Sequence, residues 1–196
     1  MNELAYKFLL GALVVAMNII RLYYQKRYKT SHAAKESEIA PRREKLLTQV
    51  MFIALAVPGM MWLFTPWLSF GQFALPDGIR LAGFAVGFYG MWWFYRIHRT
   101  LGDNWSPVLE IRKEHTLITG GPYKRVRHPM YSDMLLWLVS FALVTANWFY
   151  ALTISTGLAI LFTLRIPDEE RLMTERFGEQ YKAYMKRTKR LIPHIF

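Results

Sequence analysis

The fold of this chain is decided by the stretch Met130–Leu164, MYSDMLLWLVSFALVTANWFYALTISTGLAILFTL, which holds 35 residues and a single formal charge, Asp133. A helix rises about 1.5 Å per residue, so one straight helix of this length would far exceed the roughly 30 Å core of a bilayer. The stretch must therefore fold back on itself. Asn147 lies near its middle, and we predict a tight hairpin of two short helices, Met130–Thr145 and Trp148–Leu164.

Three further apolar blocks precede this hairpin. Apolar residues make up 53% of the chain and occur in long runs, which is a membrane composition. We therefore predict an all-α integral membrane protein with about five transmembrane helices, and a kink in the second of them at Pro58. The three spans before the hairpin are predicted at Leu4–Tyr24, Leu46–Phe64 and Ile79–Ile97.

The basic residues are distributed as in a polytopic membrane protein. The net charge is +11, and 22 of the 25 Lys and Arg residues lie in 25–45, 96–130 and 165–196, whereas 65–78 has none. Cytoplasmic loops carry such an excess of positive charge, so we predict that the polar segments and the C-terminus face the cytoplasm and that the N-terminus lies outside. The same distribution argues against a nucleic-acid partner, which would require a continuous basic surface.

Metal and thiol chemistry is not indicated by the composition. The chain has no cysteine, which excludes disulfides, thiolate metal sites and a cysteine nucleophile. Its five histidines have no spacing typical of metal ligands. We therefore predict that the protein has no metal site.

Two patterns predict how helices pack. Gly83, Gly87 and Gly90 are small residues at three- and four-residue spacing in the third span, which permits close approach of a neighbouring helix. The last 31 residues are charged and periodic, so we predict a cytosolic C-terminal helix with a break at Gly178. Its apolar stripe comprises Leu172, Met173, Phe177, Tyr181, Tyr184 and Met185.

The first polar segment of interest leads directly into the hairpin. Gly120-Gly121 is a turn signal, and it is followed by Arg127-His128-Pro129-Met130-Tyr131. Pro129 is expected at the first position of the helix, with His128 in an extended conformation before it. The free N–H groups of this helix N-terminus, with His128 beside them, suit an anion. In the alternative interpretation His128 only caps the helix and Arg127 reaches a lipid phosphate.

The second polar segment is Arg165-Ile166-Pro167-Asp168-Glu169-Glu170, which continues out of the last span. Arg165 and Glu169 are one turn apart on roughly the same face, although Pro167 is expected to distort that turn. A plain ion pair at the membrane interface explains the pattern. So does a cavity in which Arg165 binds an anionic substrate and Glu169 faces a cation.

Taken together, these motifs resemble the isoprenylcysteine carboxyl methyltransferase family. The resemblance covers about 95 to 196, and many members have glycine where this chain has Asp133. The Arg-His-Pro-x-Tyr element alone is shared with phospholipid methyltransferases and sterol reductases. The matching elements are Gly121-Pro122-Tyr123, Arg127-His128-Pro129-x-Tyr131, Glu169-Glu170 and Phe177-Gly178-Glu179-x-Tyr181-x-x-Tyr184.

The resemblance implies a cofactor, a substrate and a set of site residues. The cofactor is S-adenosylmethionine, with S-adenosylhomocysteine as product, and the acceptor is the carboxylate of a prenylated cysteine or another lipidic carboxylate in the membrane. The chain is then a single membrane domain, with transmembrane helices in 1–95 and the catalytic and cofactor-binding region in 96–196. Arg165 is implied at the substrate carboxylate. The implied cofactor-binding residues are His115, Thr116, Leu117, Ile118, Tyr123, His128, Pro129, Met130, Tyr131 and Glu169.

Three other functions are compatible with parts of the pattern. A phospholipid methyltransferase that acts on an amine would need a general base, for which His115 or His128 would serve. A sterol-type reductase would bind a nicotinamide cofactor through the Arg-His-Pro-x-Tyr element. In a membrane scaffold or lipid-binding protein without enzymatic activity, the polar segments would only anchor headgroups.

Overall fold

Six α-helices carry most of the regular structure in the computed structural model, which describes residues 2–30, 35–38, 41–107, 110–112, 116–193 and 195. Three short 3₁₀ turns connect them, at Ser69–Gly71, Gly102–Asn104 and Gly121–Lys124. The helices are α1 (Glu3–Thr30), α2 (Pro41–Phe64), α3 (Asp77–Leu101), α4 (Pro129–Thr145), α5 (Trp148–Phe177) and α6 (Glu179–Arg187).

Two short strands add to the helices. Strand β1 (Lys35–Glu38) follows α1 and pairs antiparallel with β2 (Glu110–Arg112), with Glu38 opposite Glu110. The all-α prediction is confirmed for the packed body of the protein, and this small ladder is a feature that it missed. Strands of four and three residues are too short to show an alternating pattern in the sequence.

Three of the helices are long and apolar enough to cross a membrane, which makes the chain an integral membrane protein. They extend over Glu3–Tyr28, Arg42–Phe64 and Trp148–Phe177. Helix α4 is apolar but shorter, and it packs closely against α3. The first, second and third predicted spans fall within α1, α2 and α3, and α2 continues through Pro58.

The predicted hairpin is formed by α4 and α5, and two residues make its turn. Ala146 adopts a left-handed conformation, with φ 47° and ψ 43°. Asn147 is completely buried and caps α5, because its side-chain oxygen accepts a hydrogen bond from the Tyr150 N–H at 3.0 Å. Its side-chain nitrogen donates to the Leu68 carbonyl at 2.6 Å. Asn147 therefore fixes the hairpin and also attaches it to the loop between α2 and α3.

Helix α5 is longer than the sequence predicts. It was expected to end near Leu164, but it continues through Pro167 to Phe177 and so carries Arg165, Glu169 and Glu170 on regular helical positions. This rigid extension places both carboxylates next to the N-terminus of α4.

The glycines of α3 provide its contact with α4, as predicted. A Cβ atom added to Gly83 would lie 2.8 Å from the Cβ of Leu143 and 3.1 Å from the backbone nitrogen of Val144. A Cβ at Gly87 would lie 2.6 Å from Ser140 Oγ. The two helices therefore approach too closely for any side chain at these positions.

This contact leads to a prediction on stability. Gly83→Ala should lower the free energy of unfolding by about 1–3 kcal/mol, because its Cβ meets a backbone atom that cannot move aside. Gly11→Ala is the matched control, since a Cβ at Gly11 in α1 meets nothing within 4 Å and alanine is the better helix former. In one detergent, Gly83→Ala should have a lower unfolding temperature than the parent protein, and Gly11→Ala should have a higher one. Equal effects of both changes would contradict the close α3–α4 contact.

The C-terminal region consists of the end of α5, the short helix α6 and a segment that returns to the start of α4. Helix α5 stops at Phe177, Gly178 has φ 52°, and α6 follows directly, so the predicted break is confirmed. Tyr181 and Tyr184 of the predicted stripe are buried. After α6 the backbone runs beside residues 125–128, with a bridge between Val126 and Lys189.

Candidate active site

A cavity of about 980 Å³ lies among the helices and is lined by residues of all six of them. Its deeper part is apolar, with Trp137, Phe141, Ile154 and Leu158 in the wall. The other end contains most of the residues implied by the family resemblance, which come from separate segments of the chain. These are Thr116, Leu117, Ile118, Tyr123, His128, Met130, Tyr131, Arg165 and Glu169.

Among the implied residues that the structure describes, Pro129 is not in this wall. Pro129 is buried at the first position of α4, where its fixed φ suits the start of a helix. It therefore contributes to the site through the backbone. His115 lies outside the described residues.

The segment from Thr116 to Ile118 is held against the end of α3 by Asn104. The Asn104 side-chain oxygen accepts a hydrogen bond from the Thr116 N–H at 3.0 Å, and its nitrogen donates to Thr116 Oγ at 3.2 Å. These paired bonds fix the backbone of this cavity wall without any regular secondary structure.

The N-terminus of α4 is held by the C-terminal segment. The N–H of Arg127 donates to the Lys189 carbonyl at 2.7 Å, and the N–H of His128 donates to the Arg190 carbonyl at 3.0 Å. His128 has φ −123° and ψ 62°, which is outside the helical region but is not the extended conformation that was predicted. However, its side chain makes no capping hydrogen bond to the backbone. The capping interpretation is therefore wrong, and the imidazole points to carboxylates instead.

Glu170 binds the basic residues around it. Its carboxylate accepts hydrogen bonds from Arg127 at 2.9 Å and from Arg190 at 2.8 Å, and lies 3.3 Å from Nε2 of His128. Arg127 also donates to the carbonyl of Thr188, so it does not extend towards lipid phosphate. We conclude that Glu170 stabilises the junction of α4, α5 and the C-terminal segment.

Glu169 faces the cavity. One of its oxygens accepts a hydrogen bond from Tyr131 Oη at 2.8 Å, and the other lies 3.6 Å from Nδ1 of His128. About a third of its side chain is exposed, and it lines the cavity. The two adjacent glutamates therefore have different environments, one enclosed by arginines and one available to a ligand.

Arg165 is paired with a residue from the N-terminal half. Its Nε lies 3.2 Å from a carboxylate oxygen of Glu44, and its guanidinium also donates to the Pro107 carbonyl at 3.4 Å. Glu44 is 1% exposed. Sequence reasoning missed it, because Glu44 lies in the basic stretch 25–45, which was used only to predict topology. The one sequence signal for Glu44 was its position just before an apolar run, where the helix enters the membrane.

Titration of His128 should make stability depend on pH. Burial by itself would lower the pKa of His128, but the carboxylates of Glu169 and Glu170 outweigh burial and raise that pKa above its usual value. Because the folded state has the higher pKa, protonated His128 stabilises the protein fully below its unfolded pKa of about 6.5. This contribution is lost as the pH rises through the folded-state pKa.

We therefore expect the unfolding temperature of the detergent-solubilised protein to fall as the pH rises above about 6.5 and through the folded-state pKa of His128. A His128→Gln variant is expected to be less stable at the lower pH and to lose most of this dependence. An equally steep fall in the variant would show that another group controls the effect.

Metal binding has no obvious place in the site. In the part of the chain that the structure describes, no group of three or more His, Cys, Asp or Glu side chains is arranged to hold a metal ion. The polar end of the cavity instead contains the paired side chains of Glu169, His128 and Arg165 and the hydroxyl of Tyr131.

Comparison with known proteins identifies the same family that the sequence motifs resemble. The model of the isoprenylcysteine carboxyl methyltransferase (ICMT) family matches residues 83–175. Protein-S-isoprenylcysteine O-methyltransferase B of Arabidopsis thaliana is 34% identical over 98 residues, which cover 49% of this chain and 50% of that protein. The cobalt-zinc-cadmium resistance protein CzcN of Cupriavidus metallidurans is 29% identical over 97 residues, covering 49% and 44%. The chain thus spans about half the length of the curated relatives it matches.

The fold is also similar to that of a solved structure. The eukaryotic intramembrane Ras methyltransferase ICMT superposes with a TM-score of 0.55 and 22% identity, over 81% of this chain and 55% of that one. This likeness concerns the arrangement of helices. The resemblance of this chain to the isoprenylcysteine carboxyl methyltransferase family is therefore confirmed, and it is centred on residues 83–175, from α3 to the last turn of α5.

Proposed function

We propose that this protein is an S-adenosylmethionine-dependent O-methyltransferase that methylates the carboxylate of a prenylated cysteine. The observation that carries the proposal is the position of Arg165, a cationic side chain in the wall of a largely apolar cavity that also contains Glu169. Arg165 can bind an anionic methyl acceptor, and Glu169 can bind a cationic methyl donor. The family resemblance supports the same pairing.

The residues present suit the proposed cofactor. Nδ1 of His128 is buried without a hydrogen-bond partner among the described residues, and Glu169 presents a carboxylate to the cavity. These groups, with Tyr123 and the backbone of 116–118, would hold the amino-acid and adenosyl parts of S-adenosylmethionine. When bound, this cofactor supplies an electrophilic methyl group carried on a sulfonium.

The protein's task in this reaction is positioning. A carboxylate is ionised near pH 7 and needs no general base, so Arg165 serves to bind and orient it. Holding two reactants in line contributes on the order of 7–11 kcal/mol at best. The apolar wall excludes water, which would otherwise solvate both reacting charges.

The state of His128 supports a carboxylate acceptor over an amine. Methylation of an amine requires a base that accepts a proton near neutral pH. Burial by itself lowers the pKa of His128, but the carboxylates of Glu169 and Glu170 outweigh burial and raise it. They therefore favour the protonated imidazole, which cannot accept a proton. Of the two histidines that could serve as this base, His128 is therefore disfavoured, and His115 lies outside the described residues.

The cavity also suits a lipid acceptor. Its deeper wall includes aromatic and aliphatic side chains from α2, α4 and α5. A prenyl chain, whose removal from water is favoured by about 0.8 kcal/mol per buried CH₂, can lie against them. The basic residues cluster on the side of the chain that carries the polar segments. We place this side in the cytoplasm, where the cofactor is available.

The proposal is tested with methyl-labelled S-adenosylmethionine and N-acetyl farnesylcysteine. Base treatment of the products releases labelled methanol from methyl esters but not from N-methyl groups. We expect volatile label with the purified protein and none after heat denaturation. Cofactor binding without volatile label would exclude carboxyl methylation of this acceptor and direct the search to amines and other lipids.

A further inference from the structure

Two ion pairs connect the start of α2 with the part of α5 that extends beyond Leu164. In the first, Nε of Arg165 lies 3.2 Å from a carboxylate oxygen of Glu44. In the second, Arg43 pairs with Asp168. Arg165 is part of the cavity wall, whereas Arg43 and Asp168 are not. Of these two ion pairs, the first is therefore the one that can act on a ligand in the cavity.

Glu44 is buried beside Arg165 but is not itself part of the cavity wall. It lies in the first turn of α2, and neither of its carboxylate oxygens has a hydrogen-bond donor among the described residues. The guanidinium of Arg165 therefore faces this carboxylate on one side and the cavity on another. A ligand in the cavity experiences the charge of Glu44 chiefly through its effect on Arg165.

Two contacts hold the guanidinium of Arg165 in one orientation. Nε faces Glu44, and a terminal nitrogen donates to the Pro107 carbonyl at 3.4 Å. The guanidinium group is planar and rigid, so a contact at each of two nitrogens fixes the direction of the whole group. Glu44 thus contributes to the position of the side chain proposed to bind the acceptor carboxylate.

The proposed reaction removes the charge that Arg165 binds. Methyl transfer forms a bond between an oxygen of the acceptor carboxylate and the methyl carbon. It breaks the bond from that carbon to the sulfonium sulfur, which keeps the electron pair, so the anionic acid becomes a neutral ester. The side chain of Arg165 is only 14% exposed. Without another anion beside it, the reaction would leave a buried charge uncompensated, which is strongly unfavourable.

We propose that Glu44 is the permanent counterion of Arg165 and limits how much more tightly the cavity binds the acid than its ester product. The proposal rests on the function proposed above and identifies a positioning residue for that reaction. Glu44 keeps the guanidinium paired before the acceptor binds and after the acceptor charge is lost. It also opposes the acceptor carboxylate electrostatically, so that binding of the acid does not become tight enough to slow the transfer.

The test measures the binding of the charged acceptor and of its neutral product. Tritiated N-acetyl farnesylcysteine and its methyl ester are bound to the full chain in phosphatidylcholine nanodiscs without cofactor, and binding to empty nanodiscs is subtracted. In the parent protein we expect the acid to bind no more than about tenfold more tightly than the ester. In Glu44→Gln we expect this preference to rise by about tenfold, because the carboxylate that opposes the acceptor charge is gone.

Further variants separate this effect from a loss of structure. Glu44→Asp retains the charge and should keep a preference close to that of the parent protein. Asp168→Asn is the matched control, because it breaks the other ion pair between α2 and α5 away from the cavity. It should lower the unfolding temperature without changing the preference for the acid.

Several results would contradict this role of Glu44. An unchanged or smaller preference in Glu44→Gln would overturn the proposal, and so would an equal rise in Asp168→Asn or in Glu44→Asp. If Glu44→Gln fails to fold, the parent protein decides the matter, because a preference for the acid above about tenfold would overturn the proposal there.

Turnover provides a second and independent measurement. Glu44→Gln should lower both KM for the acceptor and kcat, since the acid is bound more tightly in the ground state, whereas a purely structural defect would raise KM. A raised preference in this variant without methanol release by the parent protein would support the role of Glu44 and contradict the proposed methylation. Methanol release by the parent protein with an unchanged preference in the variant would do the reverse.

Discussion

Replacing Arg165 with alanine is expected to reduce methyl transfer by roughly a hundredfold or more, while the affinity for S-adenosylmethionine changes little. Losing one partner of a buried, hydrogen-bonded charge pair with a ligand typically costs about 2–5 kcal/mol. The lost interaction is with the acceptor carboxylate, because the cofactor is expected beside Glu169 and His128. Release of base-labile methanol gives the turnover, and equilibrium dialysis of labelled cofactor gives the affinity.

Arg165→Ala also breaks the ion pair with Glu44, so a control is needed that separates this effect on stability from the effect on activity. Arg165→Ala leaves Glu44 buried without a partner, which by itself destabilises a protein by about 3–5 kcal/mol. The double change Arg165→Ala with Glu44→Gln removes both charges and should restore much of the stability. Turnover should remain lost in the double variant. Recovery of activity together with stability would show that Arg165 acts on the fold and not on the acceptor.

Neutralising Glu169 and Glu170 one at a time is expected to have different effects, with cofactor binding weakened in one variant and stability lowered in the other. Glu169→Gln should weaken S-adenosylmethionine binding by about ten- to a hundredfold, as expected for a lost hydrogen bond to a charged group. Its effect on stability should be smaller than that of Glu170→Gln, because Glu169 is about a third exposed and loses mainly its attraction to His128.

Glu170→Gln is the matched variant, with the opposite result. It leaves Arg127 and Arg190 without their shared carboxylate, so stability should fall towards the lower end of about 3–5 kcal/mol. Cofactor affinity, measured below the unfolding temperature of the variant, should stay close to that of the parent protein. If both variants lose the cofactor to the same extent, the different roles inferred for the two carboxylates are wrong.

Local patterns in the sequence predicted the features that depend on neighbouring residues. The length and low charge of 130–164 require a hairpin, and Asn147 is a suitable residue for its turn. Pro129 determines the start of α4, and Gly178 the break before α6. The spacing of Gly83 and Gly87 indicated a helix contact, although not its partner. The roles of the site residues follow from the family resemblance and stay predictions, although most of these residues line one cavity.

The tertiary structure determined the contacts between residues that are distant in sequence. No local pattern connects Glu44 with Arg165, and neither interpretation of the Arg165 segment included Glu44. The C-terminal segment holds the start of α4 through backbone hydrogen bonds, which have no side-chain signature. Helix α5 continues through Pro167 because packing outweighs the intrinsic cost of proline. The sequence by itself therefore determined which segments are helical and which motifs they carry, whereas only the packing of the helices decided which charges are paired and which face the cavity.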